Sequence, residues 1–456
     1  MRFSWLSVAL LSVCTTAAHT ALAQSYTNLV NVVKNGQAAP GGGTISAPAN
    51  TVPSLTISST GAVAFRATTT GGPTSAVYVG DGVSLKRILA VGDSVGGNSI
   101  IGLGAIVDNP YINAGGDVVI RATLPSTGSG VFRYTNATDS ISTVATNTTV
   151  VPVSGNSNNT SYGALGRASI NDSGTIAFSS VNGVFTQNSA GVVDAPIPFG
   201  ALGSTFITGV GNVTAASNVR INNAGAIALN ATADGIAKIV DYAPFGLSST
   251  IAEAGGEAPG GGTFGSLNSP YMSPSSRFAT FTSSINGNAA SPSGLFRFDT
   301  QSNSIVRVAG ENDATGSGGF WNAFTQVALT NNNGATLFFG SVKDEVGTVV
   351  DAGLYFSDGS TPRKLVGFLD TFQGSTFTAL GSNFALNDAN QFAFNYILAD
   401  GQSGIARAQV VIPEASTGIL LGFALLGGVA SRLRPARLLR NHHGKRGECR
   451  GGYSKR

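Results

Sequence analysis

Nucleophilic and acid–base chemistry draws on few residue types, and this 456-residue chain is short of them. Its histidines are His19, His442 and His443 and its cysteines Cys14 and Cys449, all near the ends. The long stretch between them therefore lacks the material for a Ser-His-Asp triad, a thiolate nucleophile or a histidine-ligated zinc or iron. Carboxylates remain: Glu253, Glu257, Glu311 and Glu345, with 17 Asp from Asp81 to Asp400. Two of them at a suitable separation would support glycoside cleavage. Asp81, Asp358 and Asp388, however, fall in turn sequences, where Asp commonly binds nearby backbone N–H groups. No catalytic residue is assigned on this pattern.

Three further stretches invite a ligand. "GENDATGSGG" (310–319) places Glu311 and Asp313 in a loop rich in carbonyls, a donor set that suits Ca2+, but without the spacing of an EF-hand. No cofactor is expected, and Ca2+ is the one ion this loop suggests. Trp321, the only tryptophan outside the first few residues, is the candidate ligand platform, since an aromatic face can carry a sugar ring; core packing is the competing reading. "APGGGT", at 39–44 and 258–263, lacks the lysine of a phosphate-binding loop, and its recurrence marks a linker.

What would position any of these residues is a repeat. "ISSTGAVAF" from Ile57 returns as "INAGGDVVI" from Ile112, "INDSGTIAF" from Ile170, "INNAGAIAL" from Ile221, "MSPSSRFAT" from Met272, "TNNNGATLF" from Thr330 and "LNDANQFAF" from Leu386. Asn or Ser at the second position and Gly at the fifth are the preferences of a type I turn, and the alternation that follows is that of a strand. Each copy is a hairpin corner. Apolar runs separated by polar turns, as in "GLFRFDTQSNSIVRVAG" (294–310), add two more strands. The linkers "APGGGT" and "GSTF" (203–206, 374–377) precede new copies, so Ile45, Phe206, Phe264 and Phe377 are expected to begin innermost strands.

Seven four-stranded antiparallel units predict an all-β chain folded as a seven-bladed β-propeller, spanning residues 24–411. The seventh repeat ends near Val411 after three strands, while "YTNLVNVVKNGQAAPGGGT" (26–44) reads as a fourth strand plus linker. The N-terminal strand should thus complete the last blade. An elongated β-solenoid is the alternative, but its coils are usually shorter than these repeats.

The ends have another composition. Arg2, an apolar run from Trp5 to Val13 and Ala21-Leu22-Ala23 read as a secretory signal over residues 1–23. Thr417 to Ala430 is an uncharged, largely apolar segment followed by Arg432, Arg434 and Arg437, the pattern of a hydrophobic helix halted by cations, within a segment spanning 412–440. A basic tail, 441–456, follows. Of 26 Lys and Arg, nine lie in 432–456 beside one Glu, and Arg2 is in the leader; 16 basic residues then face 22 acidic ones between. That acidic balance argues against nucleic acid as a partner.

The tail resembles a PEP-CTERM sorting domain, and the body resembles the NxxGxxAF tandem-repeat proteins that often carry such tails. Pro413 and Glu414 match the recognition motif, Ala415 stands where a second proline is usual, and Arg432 and Arg434 match the basic cluster. The chain continues after the arginines to Arg456, beyond the usual end of such tails. The resemblance implies an exosortase-type enzyme as partner and membrane anchoring through the C-terminal helix before processing. The implied address is the bacterial cell envelope, surface or extracellular matrix. The expected role is a noncatalytic scaffold or binding module for extracellular polysaccharide or a matrix protein. The alternative is a carbohydrate-active enzyme using an Asp/Glu pair.

Overall fold

A strand that is apolar on both faces needs a packed layer on each side, and the strand after each corner is of that kind: all five residues of Ile176–Ser180 are buried. The computed structural model meets this need by arranging seven antiparallel sheets in a ring. It describes residues 26–412, apart from 47–54, 104–109, 127, 152–159, 200–203, 245–246, 269, 276 and 317. These lie in the first of two compact units, Met1–Val411, apart from Ile412. The signal segment, Pro413, Glu414, Arg432, Arg434, the hydrophobic helix and the basic tail fall outside the described residues.

Numbered by chain order, blade one begins with Thr44–Ile45 and Leu55–Ile57, both paired to Val63–Thr70. The innermost strands that follow are Tyr111–Ile112, Leu165–Ile170, Gly211–Ile221, then Thr263–Leu267 with Tyr271–Met272, Phe320–Thr330 and Ser375–Leu386. Short extra strands, Thr205–Ile207 and Thr371–Phe372, add to blades four and seven. The ring closes as the sequence predicts. Tyr26–Lys34 runs antiparallel to Ser403–Val410, from Tyr26 opposite Val410 to Lys34 opposite Gly404, and supplies the outer strand of blade seven.

The core is distributed between the blades. Seven buried clusters form, each drawing on two neighbouring blades, including the pair across the closure. The Ala-Phe end of the repeat acquires its meaning here. Phe178 packs with Val119 and Val131 of the preceding blade, whereas Ala177 packs with Ile227 and Leu229 of the next. Phe65 and Ala64, and Phe392 and Ala393, divide in the same way. A large side chain on one face and a small one on the other let adjacent sheets interlock, and each buried Phe contributes roughly 1.5–3 kcal/mol.

The linkers share a device only partly visible in the sequence. The first buried residue of an inner strand makes two backbone hydrogen bonds with the linker behind it. Phe264 accepts from Gly255 and donates to Gly256, at 2.7 and 2.8 Å. Ile45, Trp321 and Phe377 do the same in their blades, and Ile100, just past the short strand Asn98–Ser99, makes the same pair of bonds in blade two. Phe206 is a correction: it lies in the short strand Thr205–Ile207, which folds back on Gly211–Val213, and its side chain is 73% exposed. Blade four's linker forms a hairpin instead, so the shared letters "GSTF" lead to a different place.

Candidate functional site

The corners crowd around one end of the ring axis, and their asparagines knit them together. In five of the seven corners, Ser58 and Ser273 holding the position in the other two, the second-position Asn turns its Oδ1 inward to accept the N–H four residues on: Asp117 to Asn113, Thr175 to Asn171, Ala226 to Asn222, Ala335 to Asn331 and Gln391 to Asn387, each at 2.9–3.0 Å. Its Nδ2 points the other way, to the next blade. Asn113 donates to the carbonyl of Asn171 (3.0 Å), Asn171 to that of Asn222 (2.9 Å), Asn331 to that of Asn387 (3.3 Å), and Asn387 to that of Ser58 (2.8 Å), which joins blade seven to blade one. Met272 interrupts the pattern, its sulfur receiving the amide of Asn222. The fifth-position Gly takes positive φ, +78° at Gly174, as L-residues rarely do. Its carbonyl receives an arginine from the blade before: Arg133 to Gly174, Arg297 to Gly334 and Arg407 to Gly61.

The third corner position adds acids to this rim. Asp172 accepts from the Ala114 N–H (2.8 Å) and from Asn223 Nδ2 (2.7 Å), one oxygen each. Asp388 accepts from the N–H and the Nδ2 of Asn332, at 2.8 and 2.6 Å. Burial pushes the Asp388 carboxyl upward; the Asn332 N–H pulls it back, and repulsion from Asp172 adds to the rise.

Inside the rim, the long inner strands slip register at mid-height. The slips lie between Leu165 and Ala168, Ser217 and Arg220, Phe324 and Ala328, and Leu380 and Phe384. Bulged residues leave the ladder and re-aim their side chains. Here Arg167, Asn218, Thr325 and Asn383 line a central cavity of about 690 Å³, to which all seven blades contribute. The rim residues Asp172 and Asp388 line it as well.

One side chain in this cavity is poorly matched by the protein itself. Arg220 is 9% exposed, and its guanidinium carbon sits 4.3 Å from the centre of the Tyr111 ring. Nη1 makes a long bond of 3.4 Å to the Val219 carbonyl, and Nε has no hydrogen-bond partner. Among the described residues no carboxylate comes within ion-pair distance of it. Tyr271, which also lines the cavity, is held protonated far above its ordinary range, chiefly by burial.

The residues singled out from sequence lie elsewhere. Trp321 is 2% exposed and wedged among Phe324, Phe338 and Tyr355, with ring centres 4.7–5.5 Å away. It has no face open to a sugar, because it holds the linker position that Ile45, Phe264 and Phe377 hold in other blades. Glu311 accepts from Ser293 Oγ at 2.8 Å, and Asp313 pairs with Arg307, so the two carboxylates of the Ca2+ candidate have separate partners. Among the described residues no cluster of three metal-ligating side chains forms. Sequence reasoning passed over Arg167 and Arg220. The signal was present: the innermost strands carry no other charged residue.

A family model matches residues 7–368, most of the chain. The chain belongs to DUF7453, a family of unknown function. No curated protein matches this DUF7453 chain. Among solved structures it is similar to the β-propeller domain of the Trilobed protease from Pyrococcus furiosus, at 9% identity and TM-score 0.45, over 80% of this chain and 97% of that one. It is similar also to the GH74 xyloglucanase from Xanthomonas campestris, at 13% identity and TM-score 0.45, over 84% and 53%. TolB from Acinetobacter baumannii matches at 12% identity and TM-score 0.35, over 77% and 67%.

Proposed function

We propose that this protein is an exported, noncatalytic propeller that binds extracellular polysaccharide, placed at the envelope or in the matrix by an exosortase-type enzyme acting on Pro413, Glu414, Arg432 and Arg434. The observation that carries the binding role is the central cavity, where amide, hydroxyl and aromatic side chains converge as saccharide hydroxyls and ring faces require. The same wall favours binding over cleavage. The carboxylates that line it, Asp172 and Asp388, each accept one corner donor on each oxygen and so have a structural role in the rim.

One observation favours the enzyme as a second reading: burial, helped by the nearby Asp172 charge, raises the Asp388 carboxyl, and a carboxyl held protonated is what a glycosidase general acid requires. A single assay separates the two. The purified full chain is incubated with the extracellular polysaccharide of its host, and both protein retention and polymer length are recorded. Retention with unchanged length is expected. Shortening that disappears in Asp388→Asn would establish the enzyme instead, and neither retention nor shortening would remove both saccharide readings.

A further inference from the structure

We propose that the central cavity receives the carboxylate of an acidic saccharide, a uronate residue, which pairs with Arg220; this rests on the saccharide-binding reading and names its ligand class. A guanidinium removed from water loses hydration that only good partners restore. The protein supplies Arg220 with the face of Tyr111 and one long bond to a carbonyl, and leaves Nε unmatched. The two acids in the same cavity are fixed in the rim by the corner donors, and among the described residues no carboxylate lies within ion-pair distance of Arg220. What is missing is a planar acceptor able to meet the guanidinium fork, which a carboxylate provides.

The charge balance and the space narrow the choice. Arg167, Arg220, Asp172 and Asp388 are the charged residues of the lining, so the cavity is formally neutral and suits a singly charged ligand better than a dianionic phosphate. At about 690 Å³ it lies within the range of ordinary small-ligand sites and has room for a short oligosaccharide end. Asn218, on the bulge beside Arg220, lines the same cavity, with its Nδ2 donating to Asn230 Oδ1 at 3.0 Å. Tyr111, stacked under the guanidinium, fixes its plane and limits the rotamer freedom lost on binding.

The test is calorimetric titration of the full chain with three trisaccharides: a glucuronate-terminated one, its methyl ester, which keeps the shape and removes the charge, and the neutral glucose analogue. The acid should bind, and esterification should weaken it roughly tenfold or more, the scale of a lost charge-assisted pair. Arg220→Met should weaken the acid form to a similar extent without changing the ester, with Arg220→Lys between. Equal binding of acid and ester would overturn the carboxylate assignment while leaving saccharide binding standing. No binding of any of the three would overturn both. The ester comparison uses the unaltered protein, so it decides even if Arg220→Met fails to fold.

Discussion

The second-position Asn of a corner does two things at once, and only one of them is legible in a single repeat. That Asn would close its own turn follows from its short amide and the glycine three positions on. That its other amide atom reaches the neighbouring corner needs the ring, because Asn171 and Asn222 are adjacent only after the blades stack. Position and type of the repeat residues were thus readable, and their partners were not. Asp241 was illegible for the same reason. It sits on the strand Ile236–Tyr242 with Oδ1 buried and unpartnered, and burial lifts its carboxyl from 3.8 to about 6. The folded protein therefore keeps this proton to higher pH than the unfolded chain. The group's contribution to stability is complete below about pH 4 and is lost as pH rises through about 6, at most about 3 kcal/mol in all. Asp241→Asn should accordingly raise the urea midpoint at pH 7.5 and leave it nearly unchanged at pH 4. An equal gain at both values would show that the carboxylate is not the cause.

At the scale of elements, the strands and corners were readable because their periodicities are local, and the linkers were less so. "APGGGT" is visible as a repeat, yet "ATGSGG" (314–319) makes the same turn with other letters: Thr315 and Gly318 bond as Ala258 and Gly261 do. Without that third copy Trp321 looks exceptional. Placed beside Phe264 and Phe377 it is the bulkiest version of a shared wedge, and the inner strand that seats it runs past Gly340, where an added Cβ would come within 3.0 Å of the indole. Trp321→Phe should therefore behave as a core change. It leaves a void of about one ring beside Gly340, costing about 1–2 kcal/mol in chemical unfolding, with retention on polysaccharide unaltered. A folded Trp321→Phe protein that lost retention would reinstate the indole as a ligand contact.

For the molecule as a whole, stability depends on there being seven interfaces and not six. Every blade packs on two neighbours, and the seventh interface is completed by a segment whose residues pair with ones 370 to 384 positions away in blade seven. Val32 and Val33 enter the blade seven–blade one cluster from that strand, at 3% and 1% exposure, and the Asn387 amide and the Arg407 guanidinium fasten the same seam at Ser58 and Gly61. These side-chain bonds are each worth about 1 kcal/mol, less than the burial of two valines and a full strand ladder. The strand, not the pegs, should hold the ring shut. Val33→Asp places a carboxylate in that cluster, where burying it unpaired costs several kcal/mol. Its urea transition should fall in midpoint, and amide exchange should quicken first in Ser403–Val410 and Thr44–Ile45, the two sides of the opened seam. Exchange that quickens evenly around all seven blades would mean that the ring opens as one unit and that no single seam governs it.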